Sequence, residues 1–136
     1  MSNTFRLLLC TAWMGLALGC SSAAKHGDVS GTATFDGAPL KTGVIRFEPV
    51  DGGTASADAI ITDGKFSAQV PPGEKRVSIT SAKVVGKKKM YDTADSPTID
   101  ITEEMIPKKY NANSELKLTV KLGRQDSEPQ FDLKSK

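Results

Sequence analysis

Residues 29–35, with the sequence VSGTATF, and residues 43–49, with the sequence GVIRFEP, decide the fold of this chain. In the first stretch apolar or small residues alternate with Ser and Thr, and in the second Ile45 and Phe47 alternate with charged residues. Successive side chains of a β-strand point to opposite faces, so this alternation is typical of a strand with one buried face. We predict two strands with one buried face each, formed by Val29, Gly31, Ala33 and Phe35 in the first strand and by Ile45 and Phe47 in the second.

The same alternation extends along the rest of the chain. Asp63-Gly64 precedes KFSAQV at 65–70, and an Asp-Gly pair beside alternating residues is a strong hairpin signal because both residues tolerate positive φ. Pro71-Pro72-Gly73 then ends the strand, since proline offers no N–H to the sheet. Further strands are predicted at 55–62, at 75–83, at 116–122 with Leu116, Leu118, Val120 and Leu122 inward, and around Phe131 and Leu133.

Short strands at regular spacing indicate an all-β fold, here a single antiparallel Greek-key β-sandwich of about seven strands at 28–136. The exception is 84–113, a polar stretch that we interpret as one long loop, within which 98–102 has the composition of an extended segment. Loops of this length are usually functional or poorly ordered.

The run 29–40, followed by 43–49, resembles the opening of a carboxypeptidase regulatory-like domain, a transthyretin-like (prealbumin-like) β-sandwich. The resemblance continues through DGKF at 63–66, VPPG at 70–73 and VSI at 77–79. The chain also resembles small bacterial lipoproteins in which such a domain fills the secreted part and ends in a segment like 106–116. The resemblance implies a non-catalytic accessory or binding module.

The N-terminus has the layout of a secretory signal peptide, with Arg6 before an apolar run at 7–18. The run is shorter than the roughly 20 residues that a spanning helix needs. Cys20 follows directly after Gly19 and resembles the cysteine of bacterial lipoproteins, whose thiol carries a diacylglycerol and whose amine takes a third acyl chain such as palmitate. We therefore predict a signal peptide at 1–19, a lipidated N-terminus and linker at 20–27, and a membrane-anchored protein of the cell envelope. Ser21 favours the outer membrane over retention at the inner one.

Two alternatives stay open. Leu16 and Leu18 flank Ala17, where a lipobox usually has leucine, and small residues at Ser22 and Ala24 also suit conventional cleavage after Ala24. The product would be a soluble secreted binding domain. The other alternative is an accessory subunit of an envelope enzyme.

Composition argues against a nucleic-acid partner. The whole chain has a formal net charge of +2 from 18 basic and 16 acidic residues; removing Arg6 with the signal peptide leaves 17 minus 16, or +1. Cys10 leaves with the signal peptide and Cys20 is acylated, so we expect no intrachain disulfide.

Catalytic and metal-binding patterns are weak. His26 is the only histidine, and it lies in the predicted linker, so a Ser-His-Asp triad or a histidine metal site has no scaffold. Asp92, Asp95 and Asp100 could offer oxygens to Ca²⁺ but lack the spacing of an EF-hand loop. We expect a non-enzymatic protein without catalytic residues, metal or cofactor.

Two features remain as possible partner contacts, for an envelope protein or polysaccharide of unknown identity. Lys87, Lys88 and Lys89 could bind an anionic surface, although short charge runs are usually solvated. Tyr110 could anchor a partner, but we favour packing on the domain with its hydroxyl bonded to backbone.

Overall fold

A computed structural model describes residues 25–136; the predicted signal peptide and Cys20 lie outside the described residues. Eleven strands and one 3-10 helix form this part of the chain. The strands are β1 Gly27–Phe35, β2 Ala38–Pro39, β3 Thr42–Pro49, β4 Ala57–Thr62, β5 Lys65–Val70, β6 Gly73–Thr80, β7 Ala82–Lys89, β8 Thr98–Glu104, β9 Lys117–Val120, β10 Gly123–Arg124 and β11 Gln130–Leu133; the helix is Lys108–Tyr110.

The strands form a main nine-strand sheet and a separate two-strand sheet; in the main sheet seven strands are consecutive neighbours, and β2 and β11 also pair with β1. The main sheet has the order β10-β1-β5-β4-β3-β6-β9, and β7 pairs only with β8. All pairs are antiparallel except those of β10 and β11 with β1, which are parallel. The chain leaves β9, crosses the Gly27 end of β1 and then follows β1 in the same direction, which accounts for these exceptions. The prediction of an all-β, antiparallel fold is confirmed at this level.

The main sheet curls sharply at the turn between β4 and β5. These strands form a single register pair, Thr62 with Lys65, so they diverge on leaving the turn. Asp63 and Gly64 have φ values of 49° and 75°, as a type I′ turn requires. The two halves of the sheet consequently face each other, and Phe66 of β5 lies 6.1 Å from Phe47 of β3 between ring centroids.

The core fills the inside of this curl, and the sequence pattern located most of it. The predicted inward residues that are buried are Val29, Ala33, Ile45, Phe47, Phe66, Ala68, Val70, Val77, Ile79, Val120, Phe131 and Leu133. The inward prediction for Leu122 is wrong, because β9 ends at Val120 and Leu122 lies beyond the sheet, 59% exposed.

The prediction of one long loop at 84–113 is also wrong. Most of it belongs to an antiparallel hairpin of β7 and β8, and the 3-10 helix follows. The extended structure predicted at 98–102 is confirmed within β8. The pattern missed β7 because both of its faces are solvated, so its side chains do not alternate between apolar and polar.

A buried lysine escaped the sequence analysis as well. Lys75 of β6 lies on the core side, fully buried, in phase with Val77 and Ile79. Its ammonium donates a hydrogen bond to Thr54 Oγ1 at 2.5 Å, which ties the loop after β3 to the sheet.

Candidate functional site

Within the described residues, the segment 82–105 exposes the largest group of apolar side chains. We call it the arm; it consists of β7, a tip at 90–97, β8 and Met105. Of the eleven large hydrophobic side chains that are exposed within residues 25–136, seven belong to it: Val84, Val85, Met90, Tyr91, Ile99, Ile101 and Met105. Isolated two-strand hairpins are marginally stable in water, and a concentration of exposed apolar side chains points to an interaction surface.

The arm has two different faces. Directly paired residues of antiparallel strands share a face, so the register assigns each side chain. One face, which we call the isoleucine face, carries Ile99 and Ile101. Its other members are Lys83, Gly86, Lys88 and Glu103. The opposite face carries Ala82, Val84, Lys87, Lys89, Thr98, Asp100, Thr102 and Glu104.

A β-bulge keeps the two faces in register. The pairing shifts between Val84 and Gly86, so Val85 is the extra residue. Gly86 stands opposite Ile101, and a methyl group at Gly86 would contact the Ile101 Cδ1 at 3.8 Å. The glycine therefore leaves a shallow gap beside an exposed apolar side chain.

The predicted contact residues Lys87, Lys88 and Lys89 all lie on β7 and are exposed. Lys87 Nζ is 3.9 Å from Asp100 Oδ1 across the strands, and Lys89 Nζ donates to the Thr93 carbonyl at 3.3 Å. Lys88 forms no ion pair with the described residues and lies on the isoleucine face. The structure thus separates the three lysines onto both faces instead of gathering them into one patch.

Glu104 fixes the base of the arm. Its Oε1 accepts hydrogen bonds from the backbone N–H groups of Ser81 at 2.8 Å and of Ile106 at 2.9 Å, both in buried residues. The Ser81 hydroxyl donates to the Thr42 carbonyl at 2.6 Å. Because Glu104 bonds both chain segments where they enter the arm, it sets the position from which the arm leaves. The sequence did not indicate this role, because an acidic residue beside another one carries no local signal.

Beside this base lies an apolar groove of about 410 Å³. Phe35, at the end of β1, lines it together with Leu40 and Met105. The arm therefore leaves the main sheet at the end of β1 that is opposite Gly27.

Tyr110 is not part of the arm. It ends the 3-10 helix, is partly buried and packs against the main core, as the packing interpretation predicts. Its hydroxyl accepts a hydrogen bond from the Lys134 N–H at 3.2 Å, and Lys109 Nζ lies 5.0 Å from its ring centroid. Its role in partner contact stays a prediction.

A second, polar groove of about 490 Å³ lies near the start of β1. Asp28, Arg124, Asp126 and Glu128 are among its lining residues. Lys121 donates a side-chain hydrogen bond to Asp126 Oδ2 at 2.6 Å, which lowers the pKa of Asp126. The positive charges of Lys121 and Arg124 therefore partly neutralise the carboxylates that line this groove.

Residues 25–136 contain no group of three or more His, Cys, Asp and Glu side chains placed to hold a metal ion. Asp92 and Asp95 are exposed in the tip, and Asp100 faces Lys87 on the hairpin. His26 lies exposed directly before β1. The same part of the chain has no helix with the length and hydrophobicity to cross a membrane.

No model of a known protein family matches this chain. Neither curated proteins nor solved structures give a match. The resemblance to carboxypeptidase regulatory-like domains therefore stays a prediction from the sequence.

Proposed function

We propose that this protein is a non-enzymatic lipoprotein of the cell envelope, anchored through Cys20, that serves as a binding or structural module through its arm. The observation that carries the binding role is the exposure of Ile99 and Ile101 on a hairpin outside the core. Folded proteins rarely expose such a group of apolar side chains unless it meets a partner.

The anchor is supported by the order of Arg6, the apolar run 7–18 and Cys20. Multiple acyl chains give stable membrane attachment where one chain does not. A lipid on Cys20 would hold the domain near an envelope membrane, because the linker to Gly27 extends at most about 23 Å. Ser21 favours the outer membrane as this membrane.

We further propose that the curled sheet is a Greek-key β-sandwich of the carboxypeptidase regulatory-like, transthyretin-like type. The support is the single register pair between β4 and β5, which lets the two halves of the sheet separate into facing layers. Phe66 of one half lies between Phe47 of the other half and Phe131 of β11, at 6.1 and 6.0 Å between ring centroids.

The intact mass and N-terminal fragment ions of the protein from its native host test the anchor. We expect a chain that begins at Cys20 and carries acyl mass. An unmodified chain that begins at Lys25 would contradict the anchor and support the soluble secreted domain.

The variant Cys20→Ala provides the matched test of localisation. We expect it to leave the membrane fraction while its far-UV circular dichroism stays unchanged, because Cys20 precedes every strand of the described domain. Retention of the folded variant in membranes after a high-salt wash would refute the anchor.

A further inference from the structure

We infer that the arm binds a second copy of this chain, with the two isoleucine faces packed together and the two arms parallel. This inference rests on the proposed lipid anchor. It concerns the interaction surface itself, which the anchor does not specify.

The arrangement of side chains on the isoleucine face is self-complementary about an axis that runs along the arm. A two-fold rotation about such an axis lays β7 of one copy over β8 of the other. Lys83 and Glu103 are direct cross-strand neighbours, so each would face the opposite charge on the second copy. Opposite charges that face each other across an interface favour the orientation that brings them together.

The centre of the face matches in the same orientation, and Lys88 lies over Ile99 of the other copy, where its aliphatic stem covers that side chain. Gly86 is the direct neighbour of Ile101, so the rotation places each Ile101 over the Gly86 of the other copy. Ile101 is 44% exposed. Gly86 has no side chain, so the surface next to Ile101 has a shallow gap at this position. Two such insertions would remove both Ile101 side chains from water.

The antiparallel arrangement is disfavoured by the same residues. A two-fold axis across the arm lays β7 over β7 and β8 over β8. Lys88, near the tip, would then approach Lys83 of the other copy, and Ile99 would approach Glu103. The like charges of Lys83 and Lys88 weaken this contact, whereas the parallel arrangement brings opposite charges together.

The contact between the two arms is small, so we expect it to form only when the membrane holds both copies close together. Seven register pairs make a face roughly 20 Å long and 10 Å wide. That is about 200 Å² per copy, well below the roughly 800 Å² per partner of a stable interface. Anchoring both copies in one membrane raises their effective concentration, so a weak contact becomes populated.

The place at which the arm joins the body favours the parallel arrangement for two copies anchored in one membrane. β6 runs from the Gly27 end of the sheet to the opposite end, and only Ser81 separates it from β7, so the arm begins at the end away from Gly27. Gly27 lies about 26 Å from Phe35 along β1. Parallel arms keep both Gly27 residues on one side, whereas antiparallel arms turn the two bodies in opposite directions and move the Gly27 residues apart.

Cross-linking at the tip tests the inference on the full chain in its native membrane. Thr93→Cys places a thiol in the exposed tip, and acylation blocks Cys20. With a short bismaleimide we expect a covalent dimer, because parallel arms bring the two tips together. The same chain without the Thr93 substitution serves as the control for the Cys20 thiol.

Variants on the two faces give the matched comparison. Adding Ile101→Asp should lower the cross-linked fraction about tenfold, because it would bury an unpaired charge in the contact. Thr102→Asp, on the next residue and the opposite face, should leave the fraction unchanged. Lys83→Glu should lower the fraction, and adding Glu103→Lys should restore it.

The outcomes separate the inference from the proposed anchor. A membrane-bound protein without tip cross-links, or with cross-links only to a product of another mass, would overturn the inference and leave the anchor intact. If the protein is recovered in the soluble fraction, the anchor fails, and cross-linking of the concentrated soluble chain decides the inference. Equal loss with Ile101→Asp and Thr102→Asp would also overturn it.

Discussion

The curled main sheet and the arm are built from the same kind of strand but differ in what their side chains meet. Strand β3 buries Ile45 and Phe47 completely, whereas the isoleucines of β8 stay almost half exposed. The main sheet is stabilised by its own core. The arm is held by its ladder of hydrogen bonds and by Glu104 at its base, which leaves both faces available to another molecule.

The sharpest test of this difference removes an isoleucine from each region. Ile45→Ala should lower the free energy of unfolding by about 2–5 kcal/mol, because it removes a fully buried side chain and leaves a cavity. Ile99→Ala, at 48% exposure, should change it by less than about 0.5 kcal/mol. Urea denaturation of the unlipidated Cys20→Ala chain measures both. Similar losses would show that the arm contributes to the core.

A second test addresses the turn at which the sheet curls. Gly64→Ala should cost about 2 kcal/mol or more, because φ is +75° and the new methyl group would lie 2.8 Å from the Pro39 Cβ. Gly37→Ala is the control: its φ is +85°, but no atom lies within 4 Å of the new methyl group. Thermal unfolding of both variants should therefore show the larger loss at Gly64. A smaller loss there would mean that β2 moves aside freely.

Glu104→Ala tests the junction between the two regions. The change removes the acceptor of two backbone N–H groups, and we expect a loss of about 1–3 kcal/mol. Hydrogen exchange should become faster at the amides of Ser81 and Ile106. Glu103→Ala, at the neighbouring exposed residue, should change neither the free energy of unfolding nor the exchange at these two amides. Unchanged exchange in Glu104→Ala would contradict the interpretation that Glu104 holds the base of the arm.

The smallest effect is expected on the outer surface of the main sheet. Arg46 donates to Asp58 at 2.8 and 2.9 Å, and this hydrogen bond holds the pKa of Asp58 below its ordinary value. Because the folded pKa is the lower one, the stabilisation is present above about pH 4 and is lost as the pH falls through the folded pKa. The pair is exposed and screened, so the effect is small.

Denaturation of wild type and Asp58→Asn between pH 2 and 7 measures this contribution. The two stabilities should differ at neutral pH and converge toward pH 2. A difference that stays constant across the range would show that the carboxylate charge is not responsible.

Sequence patterns correctly predicted the strands in which neighbouring residues alternate between a buried and an exposed face. Alternation in β1, β3 and β5 identified their buried residues, and Asp63-Gly64 identified the turn, because both depend on neighbouring residues alone. The lysine run of β7 carries no alternation, so its pairing with β8 could not be predicted. The sequence indicated Lys87–Lys89 as candidate contact residues, and this stays a prediction; it gave no signal for the isoleucine face beside them.

The sequence by itself determined the all-β class, the inward faces of the main strands and the turn between β4 and β5. Only the tertiary structure decided the curl of the sheet, the parallel return of β11, the burial of Lys75 and the projection of the arm. Side-chain alternation and turn chemistry are properties of adjacent residues. Strand partners, and the groups that an isolated charge meets, depend on residues far apart in the chain, so no local pattern specifies them.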